Sequence, residues 1–341
     1  MTTSIALAGF GAWGRMHANA IAANPEARLV AVYCHGEASK AAAAEAFPDV
    51  PRFDSYDAML RTGGFEVVSV CVPNHEHAGF AVKALEAGAH VFLEKPLGLD
   101  LAQCDAVIAA ARRSGRMVAL DHELRVSHQW AAIRRMIASG DFGTVRHQQL
   151  TLFRHPFRLG SGGWRHTRAQ VGSWMLEELV HFFDLLVWYA AEKGRPRTLR
   201  ARGAGPRAAE GLHDLLVVEM EWADGSTALL VQNLAAFEHH IVFELTGSEG
   251  ALRTWWSGSG ARTLTPTFEL KALRRGKSEP EIVSVPVSGE SFELRENLAQ
   301  TLRGFREGRS ILPPEEARLS IEICLAAEES CRLGRPVELP R

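Results

Sequence analysis

The chain lacks an excess of charge of either sign. Its 341 residues carry 38 Lys and Arg against 40 Asp and Glu, a formal net charge of −2. That balance gives no electrostatic reason to bind nucleic acid or an anionic membrane. A long apolar run is also missing, since no stretch approaches the ~20 residues of a membrane-spanning helix. The opening MTTSIALAGFG has neither the basic region nor the small-residue cleavage site of a secretory signal, and it reads as a first strand. Cysteine is scarce and odd in number: Cys34, Cys71, Cys104, Cys324 and Cys331 are widely spaced and form no CxxC. A disulfide framework or a zinc ribbon fits that pattern poorly, and a reducing cytoplasm fits it well. No internal repeat is visible.

What is present suits a globular chain. Apolar residues make up 46% and charged residues 23%, close to an ordinary soluble protein and far from a disordered one. At about 150 residues per domain, the length corresponds to roughly two domains. The first 120 residues alternate: strands at 4–8, 28–33, 65–72, 90–93 and 117–120, with helices at 14–23, 38–46, 76–87 and 101–113. Strands that are apolar without polar alternation are buried on both faces. Their alternation with helices predicts a parallel sheet of βαβ units. Beyond residue 121 the texture changes. A helix at 129–139 and a strand at 144–153 lead into an Arg-, Gly- and His-rich stretch at 154–172, then a strongly apolar helix at 173–190. Alternating segments at 213–222 and 226–234 flank Ala223-Asp224-Gly225, a hairpin signal, and 241–246 and 251–256 add strands. The second half is therefore an α+β domain with an antiparallel sheet. Residues 257–289 show little pattern and read as a mobile insertion. Helices at 293–306 and 314–333 close the chain.

Gly9-Phe10-Gly11-Ala12-Trp13-Gly14 matches GxGxxG between a predicted strand and a predicted helix. In that setting the first glycine permits a tight turn and the second lets backbone approach a pyrophosphate. The third lets helix and strand pack closely, with phosphates at the helix N-terminus. A tight turn with no ligand is the alternative. An acid about 20 residues further on would bind the ribose hydroxyls. Cys34 and His35 stand there instead, with Lys40 nearby, so the choice between NAD and NADP stays open.

The 173–190 helix carries Ser173, Glu177, His181, Asp184 and Trp188 at spacings of four, four, three and four, a polar stripe on an otherwise apolar surface. Buried ionisable groups are costly unless paired or useful. A satisfied internal network, with Asp184 fixing the His181 ring, is one reading and an acid/base site is the other. Glu178 lies beside the stripe with no evident aim. His75 and His77 form an HxH, but residues two apart do not share a helical face and no ligand set completes it, so no metal is expected.

These pieces together resemble the Gfo/Idh/MocA oxidoreductases, the family of glucose–fructose oxidoreductase and inositol dehydrogenase. The resemblance runs in order along the whole chain: GFGAWG, VCVPNHEH at 70–77, GAHVFLEKPLG at 88–98, VGSWMLEELVHFFD at 171–184, and a tail containing SCRLGRPVEL. It implies a Rossmann domain at 1–121 and, at 122–341, a substrate and oligomerisation domain with a large open, mostly antiparallel sheet. The C-terminal helix is expected to pack back toward the Rossmann domain. It also implies NAD(P)-dependent hydride transfer on sugars, polyols and related compounds, and a homodimer or homotetramer.

Carried over residue by residue, Lys95 contacts the substrate hydroxyl and the nicotinamide ribose, aimed by the stiff turn at Pro96. A cation there stabilises alkoxide-like charge. A surface ion pair with Glu94 is the plainer alternative. His181 becomes the acid/base, suited by an ordinary pKa near 6.5. Glu177 stands where the family has Asp, and Asp184 keeps the later family Asp. Gly9, Phe10, Gly11, Ala12, Trp13, Gly14, Cys34, His35, Val72, Pro73, Asn74, His77, Glu94, Lys95, His122 and Arg165 are the expected cofactor contacts. Arg125, His155, Trp164, Trp174 and Asp184 are expected to touch or orient substrate. The basic residues at 154–168 suit a substrate bearing a carboxylate or phosphate, while the Trp and His residues equally suit a sugar. An NAD-dependent glycosidase that oxidises transiently and a non-catalytic dinucleotide-binding regulator are the rival readings.

Overall fold

A computed structural model describes residues 2–339, and the chain divides into two compact units. Unit 1 comprises residues 1–123, 160–172 and 294–321, and unit 2 comprises 124–159, 173–293 and 322–341.

In unit 1 the strands are β1 (Thr3–Ala8), β2 (Ala27–Tyr33), β3 (Arg52–Phe53), β4 (Val67–Val70), β5 (His90–Leu93) and β6 (Val118–Leu120). Interleaved helices are α1 (Ala12–Ala23), α2 (Glu37–Ala46), α3 (Tyr56–Thr62), α4 (His77–Glu86) and α5 (Leu101–Ser114). All pairings are parallel, in the order β3-β2-β1-β4-β5-β6. The order reverses between β1 and β4. In such sheets ligands bind outside the carboxyl ends of the strands at that reversal. The sequence expectation held for five of the six strands. The missed β3 is two residues long, and the missed α3 is a short helix capped by the Ser55 hydroxyl and ended at Gly63. The core packs Ile5, Leu7, Ile21 and Val32 against Leu294, Leu298, Leu302 and Phe305. Those last four residues recur at helical spacing on the chain's penultimate helix, which therefore covers this sheet.

In unit 2, α6 (His128–Ala138) precedes β7 (Val145–Phe153), while a short helix α7 (Arg168–Val171) belongs to unit 1. The apolar segment after it begins as a π-turn at Met175–Leu179 and continues as α8 (Val180–Tyr189). The remaining strands are β8 (Thr198–Ala204), β9 (Leu215–Glu221), β10 (Thr227–Asn233), β11 (His239–Gly247), β12 (Ala251–Gly258), β13 (Thr267–Leu273) and β14 (Glu281–Ile282). Helices α9 (Glu290–Arg306) and α10 (Pro314–Leu333) and strand β15 (Val337–Glu338) end the chain.

The nine-stranded sheet has the order β14-β13-β12-β11-β7-β10-β9-β8-β15 and is antiparallel except where β10 meets β7. One face is buried under helices. Trp130 of α6 and Tyr189 of α8 pack on Phe243 of β11, and the Tyr189 hydroxyl donates to the Trp130 carbonyl at 2.9 Å. The expectation of an unpatterned insertion at 257–289 is corrected here. Phe268, Leu270 and Ala272 alternate along β13, whose Leu270 and Ala272 are buried, and β13 pairs in register with β12. Among the described residues no helix is long and apolar enough to cross a membrane.

Candidate active site

The glycine turn sits at the sheet reversal. Gly9 follows β1 with φ +98°, and a Cβ on it would lie 2.5 Å from the Cys71 carbonyl oxygen at the end of β4. A Cβ on Gly14 would collide with the Gly9 carbonyl. The protein itself therefore requires both glycines. Gly11 is different: it is exposed, and a Cβ there meets nothing within 4 Å. Packing does not demand a glycine at this position, and the missing side chain leaves room for close approach of a ligand. Gly11 is also the N-cap of α1, with no side-chain cap and no acid in the first turn. Its peptide N–H groups and the helix dipole suit a pyrophosphate. A dinucleotide fits this end of the unit.

The other expected cofactor residues divide by burial. Ala12 and His35 are exposed and Trp13, Pro73 and Arg165 half-buried, whereas Phe10, Cys34, Val72, Asn74, His77, Glu94, Lys95 and His122 are buried. Phe10 is a core residue, edge-on to Phe47. Cys34 is turned inward, and burial raises its pKa, so His35 is the exposed member of that pair. Lys40 pairs with Asp54 at 2.7 Å. Asn74 donates to the Val171 carbonyl at 3.1 Å, tying the loop after β4 to α7. His77 places Nδ1 2.7 Å from the Pro96 carbonyl and Nε2 2.8 Å from the Val72 carbonyl. It holds two backbone segments, a role that the HxH pattern did not reveal.

Lys95 follows β5, and the Lys95–Pro96 peptide is cis. Glu94 faces inward, with Oε1 2.9 Å from His17 Nε2. His17, on α1, lies 3.4 Å from Asp121 Oδ2 through the same nitrogen, and its Nδ1 is 2.9 Å from the Ser69 hydroxyl. Asn297 donates to the other Asp121 oxygen at 2.6 Å. Burial opposes a charged His17 ring, but Cys71, Asp121 and Glu94 outweigh it and hold its pKa well above the usual histidine value. Burial likewise opposes the Glu94 carboxylate, yet the hydrogen bond and charge of His17 keep it below the usual range. Burial and the neighbouring Glu94 push Asp121 up to about 6. Sequence reading missed this cluster. The available signal was a histidine at the apolar positions of α1, where Gly14, His17, Ala18 and Ile21 form the buried face.

In unit 2 the polar stripe is buried as expected: Ser173, Glu177, His181 and Asp184 are all at most 6% exposed. The π-turn carries Glu177 and Glu178, and such turns often occur at functional positions. Asp184 receives two hydrogen bonds from Arg125, Nε at 2.7 Å and Nη2 at 2.9 Å, and Arg125 also lies over the Trp188 ring. Glu178 forms an ion pair with Arg154, whose guanidinium stacks on Phe157, and Phe157 packs on Trp174. Two arginines that the sequence offered to an anionic substrate are thus engaged by acids of this helical segment. His155 is exposed, and Arg165 lies over Trp164 in unit 1. His239, buried on β11, is lowered to about 4, chiefly by burial, with Glu178 opposing and Arg154 adding to the effect.

A doubly wound parallel sheet with an open glycine turn at its reversal defines a dinucleotide-binding domain, and a large open sheet follows it in a second unit. The sequence model of the Gfo/Idh/MocA oxidoreductases with an NAD-binding Rossmann fold matches residues 3–122, and that of the family's C-terminal domain matches residues 130–253. The chain belongs to this family and is an NAD(P)-dependent oxidoreductase. It is 39% identical to an uncharacterized oxidoreductase of Rhizobium meliloti over 31% of each chain. With an inositol 2-dehydrogenase of Leifsonia xyli it shares 27% identity over 74% of each chain. The structure superimposes on an aldose–aldose oxidoreductase from Caulobacter crescentus with a TM-score of 0.84 at 19% identity, covering 99% of this chain and 100% of that one.

Proposed function

We propose that the protein catalyses reversible hydride transfer between NAD(P) and a secondary alcohol carbon of a sugar, polyol or cyclitol. The observation that carries the reading is the glycine turn, open at Gly11 and set at the sheet reversal with Lys95 on the same carboxyl edge. In oxidation the alcohol O–H would give its proton to an imidazole nitrogen of His181 as the C–O bond becomes a carbonyl, and an NAD(P) held at the glycine turn would accept the carbon's hydride. The bound cofactor supplies the hydride acceptor. Lys95 stabilises the developing oxygen charge. Glu177 orients His181 or a substrate hydroxyl, and Asp184, gripped by Arg125, fixes the helix segment that carries them. The match to an inositol dehydrogenase supports a polyhydroxylated substrate.

The same reading makes the protein a homodimer or homotetramer associating through the open sheet. Leu215 and Val217 of β9, each 46% exposed on the uncovered face, support that surface. Five free cysteines support a reducing, cytoplasmic location. The test begins with thermal-shift titrations of NADH and NADPH. A ligand at about 100 times its Kd adds ~2.7 kcal/mol of stability. A panel of inositols, aldoses and sugar acids with the binding cofactor follows. A shift and turnover of a panel alcohol are expected. No shift with either cofactor, in protein stripped of nucleotide, would overturn the reading.

A further inference from the structure

The turn that carries Lys95 is held from both sides by buried imidazoles. Before it, the Glu94 carboxylate is gripped by His17 Nε2 at 2.9 Å. After it, the Pro96 carbonyl is gripped by His77 Nδ1 at 2.7 Å. Both rings are 1% exposed. Each also reaches a second anchor: His17 contacts Ser69 of β4, and His77 contacts the Val72 carbonyl just beyond β4. The lysine turn is therefore referenced to β4 twice, and through His17 to α1, the helix that the glycine turn opens. We propose that His17 and His77 are positioning residues that fix the Lys95 turn relative to the glycine turn. This inference rests on Lys95 acting on the substrate.

Two features favour positioning over simple core packing. A core could be filled by apolar side chains, whereas here a fully buried acid pair is retained. Two carboxylates, Glu94 and Asp121, end neighbouring strands and share one ring nitrogen between them. Such a pair is costly unless a cation or shared protons compensate it. Both contacts of His77 are to carbonyl oxygens, which only accept, so each ring nitrogen must donate to make both bonds. The donor atoms of His17, Glu94 and Asp121 also lie within 4.8 Å of one another, close enough for a metal ion. The geometry favours a proton: His17 Nε2 is at hydrogen-bond distance from Glu94, and Asn297 already occupies the second Asp121 oxygen.

The test is a double-mutant cycle between His17→Gln and Lys95→Met, using the panel alcohol that turns over fastest. His17→Gln is expected to lower kcat by about tenfold or more while NAD(P)H affinity stays within about threefold, and to add less than about twofold when Lys95 is already Met. Unchanged kcat, or an equal fall in both backgrounds, would overturn the proposal. Should His17→Gln fail to fold, His77→Gln runs the same cycle with the same criteria. If Lys95→Met alone keeps wild-type turnover, or no panel alcohol turns over, the reading beneath the proposal fails visibly and the proposal falls with it. Elemental analysis of the purified protein is expected to find no stoichiometric divalent metal, and finding one would replace the proton with an ion.

Discussion

The two units bury ionisable groups by opposite means. Unit 1 gathers them into one knot, where a single imidazole serves two carboxylates at the ends of neighbouring strands. Unit 2 strings acids along one helical segment and gives two of them an arginine each, Arg125 for Asp184 and Arg154 for Glu178. The histidines record the difference. Burial alone favours the neutral ring, and His239 in unit 2 is accordingly lowered to about 4. His17, at least as buried, is raised because Cys71, Asp121 and Glu94 outweigh burial. Burial thus sets the charge of His239, where its neighbours do not outweigh it, and is overridden at His17, where they do.

The largest effect that sharpens this contrast is on chemistry. His181→Ala is expected to cut turnover by about 10²–10⁴ while cofactor binding persists. Comparison of steady-state kcat with NAD(P)H affinity checks it, and a near-normal kcat would make the stripe merely structural. Next is the Arg125–Asp184 pair, with Asp184 2% exposed. Asp184→Ala leaves a largely buried guanidinium without its bidentate partner and should cost about 3–5 kcal/mol of stability. Denaturant titration reads this, and a loss under ~1 kcal/mol would show that Arg125 finds equal company elsewhere.

The third effect tests the histidine contrast through pH. Above pH 6.5, His239 is neutral in both folded and unfolded chains and costs nothing. As pH falls from 6.5 to about 4, the unfolded chain takes up the proton and the folded one does not. Stability should fall by on the order of 3 kcal/mol across that window, and His239→Gln should remove that part of the fall. His17 carries the opposite sign: its contribution is full below pH 6.5 and is lost only as pH rises through its elevated value. Melting curves of the His239 variant from pH 7 to 4 that parallel the wild type would break the comparison. The smallest effect lies in the glycine turn. Gly11→Ala has room and should leave Tm unchanged while weakening NAD(P)H about tenfold, because the added methyl stands where the pyrophosphate approaches. Gly14→Ala should instead lower Tm, since its Cβ meets the Gly9 carbonyl.

Local patterns carried most of the fold into view. GFGAWG between a strand and a helix, and EKP after a short buried strand, locate the carboxyl edge of the parallel sheet. Alternation along β9 and β10 locates the second sheet. Elements with weak local signals escaped. β8, with the sequence TLRARGA, buries only Leu199 and Ala201, too few apolar positions to stand out. β13 is embedded among Gly, Ser and Pro residues, and its three alternating apolar positions were too few to stand out. The candidate site shows the same division. The buried row from Ser173 to Asp184 could be read from spacing, and Lys95 from its place after a short strand together with the family resemblance. Their partners could not, because Arg125 reaches Asp184 across 59 positions and His17 reaches Glu94 across 77. Only the folded chain brings such residues together, so Glu178 had no evident aim until Arg154 supplied one.

The central claim is that Lys95 acts in hydride transfer and not in holding the cofactor or the fold. The direct measurement is turnover of the best panel alcohol by Lys95→Met, made beside NAD(P)H affinity and Tm of the same preparation. The account predicts a loss of about 10²–10⁴ in kcat with affinity within about threefold and an unchanged melting curve. Wild-type turnover, or a loss explained entirely by cofactor no longer binding, would contradict it.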